Sequence, residues 1–207
     1  MKTLNLRLLV SIMIVTSALF PVLVSGQSTN NYSVCQGLTE PYWVQNPGVG
    51  SAFAWTITPG VSGTNWSITA NNNDDILVNW ILPGVYTVQV IETTSDNCIG
   101  DPIQLTVTIV PTPTVANAGP DQTLCGTLIA TLAGNTPTIG TGTWSMISGP
   151  GTVNFLNAND PFTTATASIF GVYVLRWTTS NGICPVSTDE LTLTLNLKPV
   201  TNGIWHN

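Results

Sequence analysis

The chain has 207 residues, with four Lys plus Arg against ten Asp plus Glu, four Cys and one His. A formal charge of −6 with so few cations builds no basic surface for phosphate neutralisation, which excludes DNA, RNA and an anionic membrane surface as partners. The single His is His206, so a histidine general base, a Ser or Cys triad and a multi-histidine zinc site all lack their central residue. The chain reads as a protein that is not an enzyme and that needs no cofactor.

Residues 1–26 read as a secretory signal peptide. Lys2 and Arg7 precede an apolar run from Leu8 to Val24, and Val24-Ser25-Gly26 offers small residues at a cleavage point. Pro21 and several hydroxyl residues interrupt the run, and polar residues follow it, so a membrane span is the weaker reading. Cleavage near Gln27 leaves Arg176 and Lys198 as the only cations against ten acidic residues, a formal charge of −8.

Beyond residue 26 the chain repeats itself. Cys35 matches Cys125 at an offset of 90, Trp55 matches Trp144 at 89, Gly84-Val85-Tyr86 matches Gly171-Val172-Tyr173 at 87, and Cys98 matches Cys184 at 86. Each copy closes on strict alternation: Ile103, Leu105, Val107 and Ile109 in the first, Leu191, Leu193, Leu195 and Leu197 in the second. Period two means a strand with one buried face, and Gly and Pro punctuate the boundaries, as at Pro59-Gly60 and Gly149-Pro150-Gly151. No stretch after residue 27 carries helical periodicity. The expectation is all-β: two tandem antiparallel β-sandwich domains of about seven short strands each. Their bounds read as 27–111 and 120–199, with a stiff proline-rich linker at 112–119 and a tail at 200–207.

Four cysteines in a secreted chain allow three connectivities. The repeat favours one bridge per copy, Cys35 with Cys98 and Cys125 with Cys184, each worth on the order of 4 kcal/mol by chain entropy. Zinc is the weaker reading, since no Cys-x-x-Cys pair is present. Trp55, Tyr86, Trp144 and Tyr173, at matching positions, read as core residues. Trp66 and Trp80 lack Trp counterparts in the second copy, and so become the candidates for a platform that stacks on sugar rings. The run Asn71-Asn72-Asn73-Asp74-Asp75 offers oxygen ligands for calcium, but reads first as a turn. Asp74-Asp75 and Asp189-Glu190, wherever such neighbours lie on a strand, point to opposite faces and cannot form a catalytic acid–base pair.

With Cys, Trp, Gly-x-Tyr and Cys in that order twice, both copies resemble the PKD-like and immunoglobulin-like β-sandwich modules of bacterial cell-surface proteins. In the first copy "FAWTITPG", "GVYTVQVIE" and "CIGDPIQLTVTIVPTPT" resemble the PKD-like repeats of secreted, gliding-motility-associated proteins; in the second, "ANAGPDQTLCG", "GTWSMISGPG" and "GVYVLRW" resemble the companion module. Tyr86 and Tyr173 stand 12 and 11 residues before a Cys, unlike the two-residue spacing of antibody domains. The resemblance implies stalk, spacer or adhesive duty at the cell surface or in the medium. Its implied partners are other modules of the same or neighbouring surface proteins, with extracellular polysaccharide as the alternative. Trp205 near the chain end has no evident burial partner, which leaves a fragment of a longer surface protein and a complete small secreted protein both open.

Overall fold

The computed structural model describes residues 31–203, and all regular structure within them is β-strand. The signal-peptide reading of 1–26 lies outside the described residues, as do Trp205 and His206. Seven strands build the first sandwich: β1 (Asn31–Cys35), β2 (Thr39–Trp43), β3 (Ala52–Thr58), β4 (Trp66–Asn71), β5 (Asp75–Trp80), β6 (Gly84–Thr93) and β7 (Ile103–Val110). Seven more build the second: β8 (Gln122–Cys125), β9 (Ile129–Thr131), β10 (Thr141–Ser148), β11 (Val153–Phe155), β12 (Thr164–Ala167), β13 (Gly171–Ser180) and β14 (Ser187–Asn196).

The two share one topology. The first has a four-stranded sheet in the order β1-β7-β6-β3 over a three-stranded sheet β2-β5-β4; the second has β8-β14-β13-β10 over β9-β12-β11. Every pairing is antiparallel except β1 with β7 and β8 with β14, which run parallel. The alternating residues of β6 and β7 send Tyr86, Val88, Val107 and Ile109 inward against Ile76, Val78 and Trp80 of the opposite sheet. In the second core Tyr173, Leu175, Trp177, Leu191, Leu193 and Leu195 meet Ala130, Ala165 and Ala167. Outward cross-strand pairs match too: Gln104 bonds Gln89 at 2.6 Å where Arg176 forms an ion pair with Glu190. Exposed pairs of this kind contribute at most about 1 kcal/mol, so the inward residues carry the fold.

Local polar bonds tie the sheets together. Asn73, in a left-handed conformation at the turn between β4 and β5, donates through Nδ2 to the Ser51 carbonyl and accepts from the Trp55 indole and the Phe53 amide. The Asn71–Asp75 run is thus a turn that fastens one sheet to the edge of the other. Tyr86 donates its hydroxyl to the Leu82 carbonyl at 3.0 Å, and Tyr173 donates to Ile169 at 2.8 Å. Each ring is buried, so each bond pins the corner that leads into the long β6 or β13 strand.

The cysteines correct the sequence expectation. Cys35 pairs with Cys184, across the two sandwiches, while Cys98 and Cys125 are exposed free thiols. Parallel pairing is the reason. Cys35 lies level with Val110 at the end of β7, whereas Cys98 lies on the hairpin before β7 begins. The seven-residue length of strand between those levels spans about 23 Å, far beyond the reach of a disulfide. The same parallel register separates Cys125, level with Asn196, from Cys184.

The 112–119 stretch, read from the sequence as a stiff linker, is hydrogen-bonded to the second sandwich. Ala116 and Ala118 are buried in the second core, and their amides donate to Ser187 Oγ and Asp189 Oδ2. Asn181 on the hairpin between β13 and β14 donates to the Pro111 carbonyl at 2.7 Å. The joint is therefore short, hydrogen-bonded and covalently closed.

Replacing Tyr173 with Phe keeps the ring and strands the Ile169 carbonyl. Urea unfolding is expected to show a loss of about 1–2 kcal/mol; a loss below about 0.3 kcal/mol would show that the corner bond adds nothing.

Candidate functional site

The first sandwich carries a cleft of about 510 Å³ at the pole far from the joint, between the edge strands of its two sheets. Tyr32 on β1, Ile103 and Leu105 on β7, Val88 and Val90 on β6 and Trp55 on β3 form one wall; Glu40, Pro41, Tyr42 and Trp43 on β2 form the other. Its origin is a difference between the copies. Trp177 and Trp144 fill the equivalent space in the second sandwich, with ring centroids 5.1 Å apart. Val90 stands where Trp177 does, opposite Trp55 in the same register that sets Trp144 opposite Trp177. The smaller side chain leaves the space open. Conversely Gly142, where the first copy has Phe53, makes room for the Trp177 ring, which would lie 2.0 Å from any Cβ there.

The walls are mostly apolar, with one carboxyl and two phenols set into them. Burial pushes the Glu40 carboxyl above its ordinary value, and the hydrogen bond from the Tyr32 hydroxyl only partly opposes this. Tyr32 is raised by burial and then by the neighbouring Glu40 charge. Burial raises Tyr42 further, against the hydrogen bond it accepts from the Trp80 indole at 3.1 Å. Trp43 is 64% exposed at the rim. Apolar walls, exposed aromatic faces and one protonatable acceptor suit a ligand that stacks and offers a hydroxyl or amide. No group of three metal-ligating side chains occurs among the described residues.

The residues expected from the sequence fall elsewhere. Trp80 is fully buried in the first core, edge-on to Tyr42 and tilted against Tyr86, so it cannot be a platform. Trp66 is half-buried, with its indole nitrogen buried and unpartnered, and it lies outside the cleft. Tyr86, Trp144 and Tyr173 are buried core residues; Trp55 is half-exposed and lines the cleft instead. Tyr32, Glu40 and Trp43 were not singled out by sequence reasoning. The signal available was Val90 at the repeat position of Trp177.

No protein-family model matches the chain, and no curated protein matches it. Among solved structures the chain is similar to the PKD domain from KIAA 1837 protein, at 26% identity over 42% of this chain and 91% of that one, TM-score 0.37. It is similar to Drosophila OTK extracellular domains 3-5, at 14% identity over 80% of this chain and 58% of that one, TM-score 0.47. It is similar to DIP-gamma IG1+IG2, at 14% identity over 80% and 94%, TM-score 0.35. The sandwich assignment itself rests on the strand order and register above.

Glu40 holds its proton more tightly folded than unfolded. The stability it contributes is therefore fully present below the unfolded value of about 4.3 and is lost as pH rises through the raised folded value. The stability difference between wild type and Glu40→Gln should thus move against wild type as pH rises from about 4 to about 7, read by urea titration at each pH. A difference that is flat in pH would show that the carboxyl is not desolvated.

Proposed function

We propose that this chain is a non-catalytic extracellular module of a bacterial surface or secreted protein, in which two sandwiches act as one stapled stalk segment that extends or presents a partner module. The observation that carries the reading is the joint. A chain pulled from its two ends passes load from Cys35 directly to Cys184, so the 149-residue separation between them is shielded from extension. The parallel pairings support it, because a module whose first and last strands run the same way enters at one pole and leaves at the other. A disulfide also belongs to an oxidising compartment outside the cytosol.

A second reading follows from the cleft: an accessory binding module whose ligand is an extracellular saccharide stacked on Trp43. This differs from the sequence expectation in its residues, since Trp80 is core and Trp66 lies apart.

Two measurements test these readings. Single-molecule extension should release on the order of 500 Å of extra chain when reductant opens the bridge; equal lengths with and without reductant would remove the stalk reading's support. In titrations with oligosaccharides followed by Trp fluorescence, the binding reading expects a saturable change that Trp43→Ala abolishes and Trp66→Ala leaves intact. No saturable change, or loss with Trp66→Ala alone, rejects it.

A further inference from the structure

We propose that copies of this chain join head to tail through a second disulfide, from Cys125 of one copy to Cys98 of the next, repeating between chains the joint that Cys35 and Cys184 make within one. The inference extends the reading of a stapled segment, but its test leaves the Cys35–Cys184 bridge untouched and so fails or stands separately.

The two free thiols are the structural equivalents of the two bridged ones. Cys125 ends β8 level with Asn196, as Cys35 ends β1 level with Val110. The following amide bonds the same strand end in both: Gln36 to Val110 at 2.8 Å, Gly126 to Asn196 at 2.8 Å. Across the joint Cys184 Sγ lies 3.4 Å from the Pro111 carbonyl; at the far strand end the matching carbonyl, that of Leu197, lies 3.8 Å from the free Cys125 Sγ. On the other side, Cys98 lies on the β6–β7 hairpin as Cys184 lies on the β13–β14 hairpin, each turn closed by one backbone bond: Asn97 to the Thr94 carbonyl at 2.9 Å and Cys184 to the Asn181 carbonyl at 3.1 Å.

Both thiols are exposed, and they lie at opposite ends of the tandem, too far apart to meet within one chain. The surfaces beside them are complementary in charge. Asp96 lies two residues before Cys98 on the exposed hairpin, and Lys198, one of two cations after residue 26, is exposed immediately beyond Leu197. An acidic hairpin thus meets a basic strand end. Because the contacting surfaces differ and lie at opposite poles, repeating the contact extends the tandem as an array.

The oxidant is a low-molecular-weight disulfide of the extracytoplasmic compartment. The Cys125 thiolate attacks one of its sulfurs and releases one small thiolate; the Cys98 thiolate of the second copy then attacks Cys125 Sγ and displaces the other. Two protein thiols are oxidised and one small disulfide is reduced to two thiols.

Cys98→Ser and Cys125→Ser variants of the mature chain decide the matter in oxidised glutathione, read by non-reducing electrophoresis and peptide mapping. Each alone should remain monomeric. Their mixture should give a covalent dimer carrying the Cys98–Cys125 linkage and lost on reduction, while the wild type gives a ladder. A mixture that stays monomeric, a wild-type bridge within one chain, or as much dimer from either variant alone overturns the proposal.

Discussion

Parallel pairing of the first strand with the last, in each sandwich, is the constraint on which the rest depends. An antiparallel edge would return the chain to the pole where it entered. Here β1 follows β7 and β8 follows β14, so entry and exit lie at opposite poles and two copies must stack end to end. The same register sends the strand-end cysteine to the exit pole and the hairpin cysteine to the entry pole. Within one sandwich they are out of reach of each other, and across a joint they become neighbours.

The bridge sits where packing is weakest. Each sandwich buries a full set of apolar strand faces, including Trp80 in one and the Trp144–Trp177 pair in the other. The joint, by contrast, rests on Asn181 against the Pro111 carbonyl and on Cys184 against the same segment. A bridge spanning 149 residues lowers the entropy of the unfolded chain by about 5 kcal/mol in the loop-closure account. Its larger consequence is geometric, since it fixes two bodies whose noncovalent contact alone would leave a hinge.

Much of the fold was legible because strands advertise themselves. The alternation of Ile103 to Ile109 and of Leu191 to Leu197, the doubled Gly-Val-Tyr and the punctuating Gly-Pro pairs all act through local periodicity. The cysteine pairing was not legible, because a repeat is equally satisfied by a bridge inside each copy and by one that runs from copy to copy. Only strand direction separates these, and direction is not a property of any segment alone. Trp80 was misread for a related reason. The copies draw core volume from different layers: the first places Trp80 on its three-stranded sheet, packed on Tyr86, whereas the second has small Ala165 and Ala167 on that sheet and sets Trp144 and Trp177 on the four-stranded one. A Trp without a counterpart in the other copy therefore marks exchanged volume rather than a surface role.

That exchange also explains why the cleft opens in the first copy, at the place that Trp144 and Trp177 fill in the second. Gly142 and Trp177 in the second sandwich correspond to Phe53 and Val90 in the first, so bulk moves from an inward to a more peripheral position and the space beside Trp55 stays open. The buried Ala116 and Ala118 of the connecting segment complete the closure of the second sandwich at the same pole. Opening this pole in the first sandwich leaves Glu40 half-buried against two phenols, a costly arrangement in an empty apolar wall and a serviceable one against a partner that offers a donor. Divergence between two copies of one module thus leaves one sandwich closed at the joint and the other open at the pole away from it.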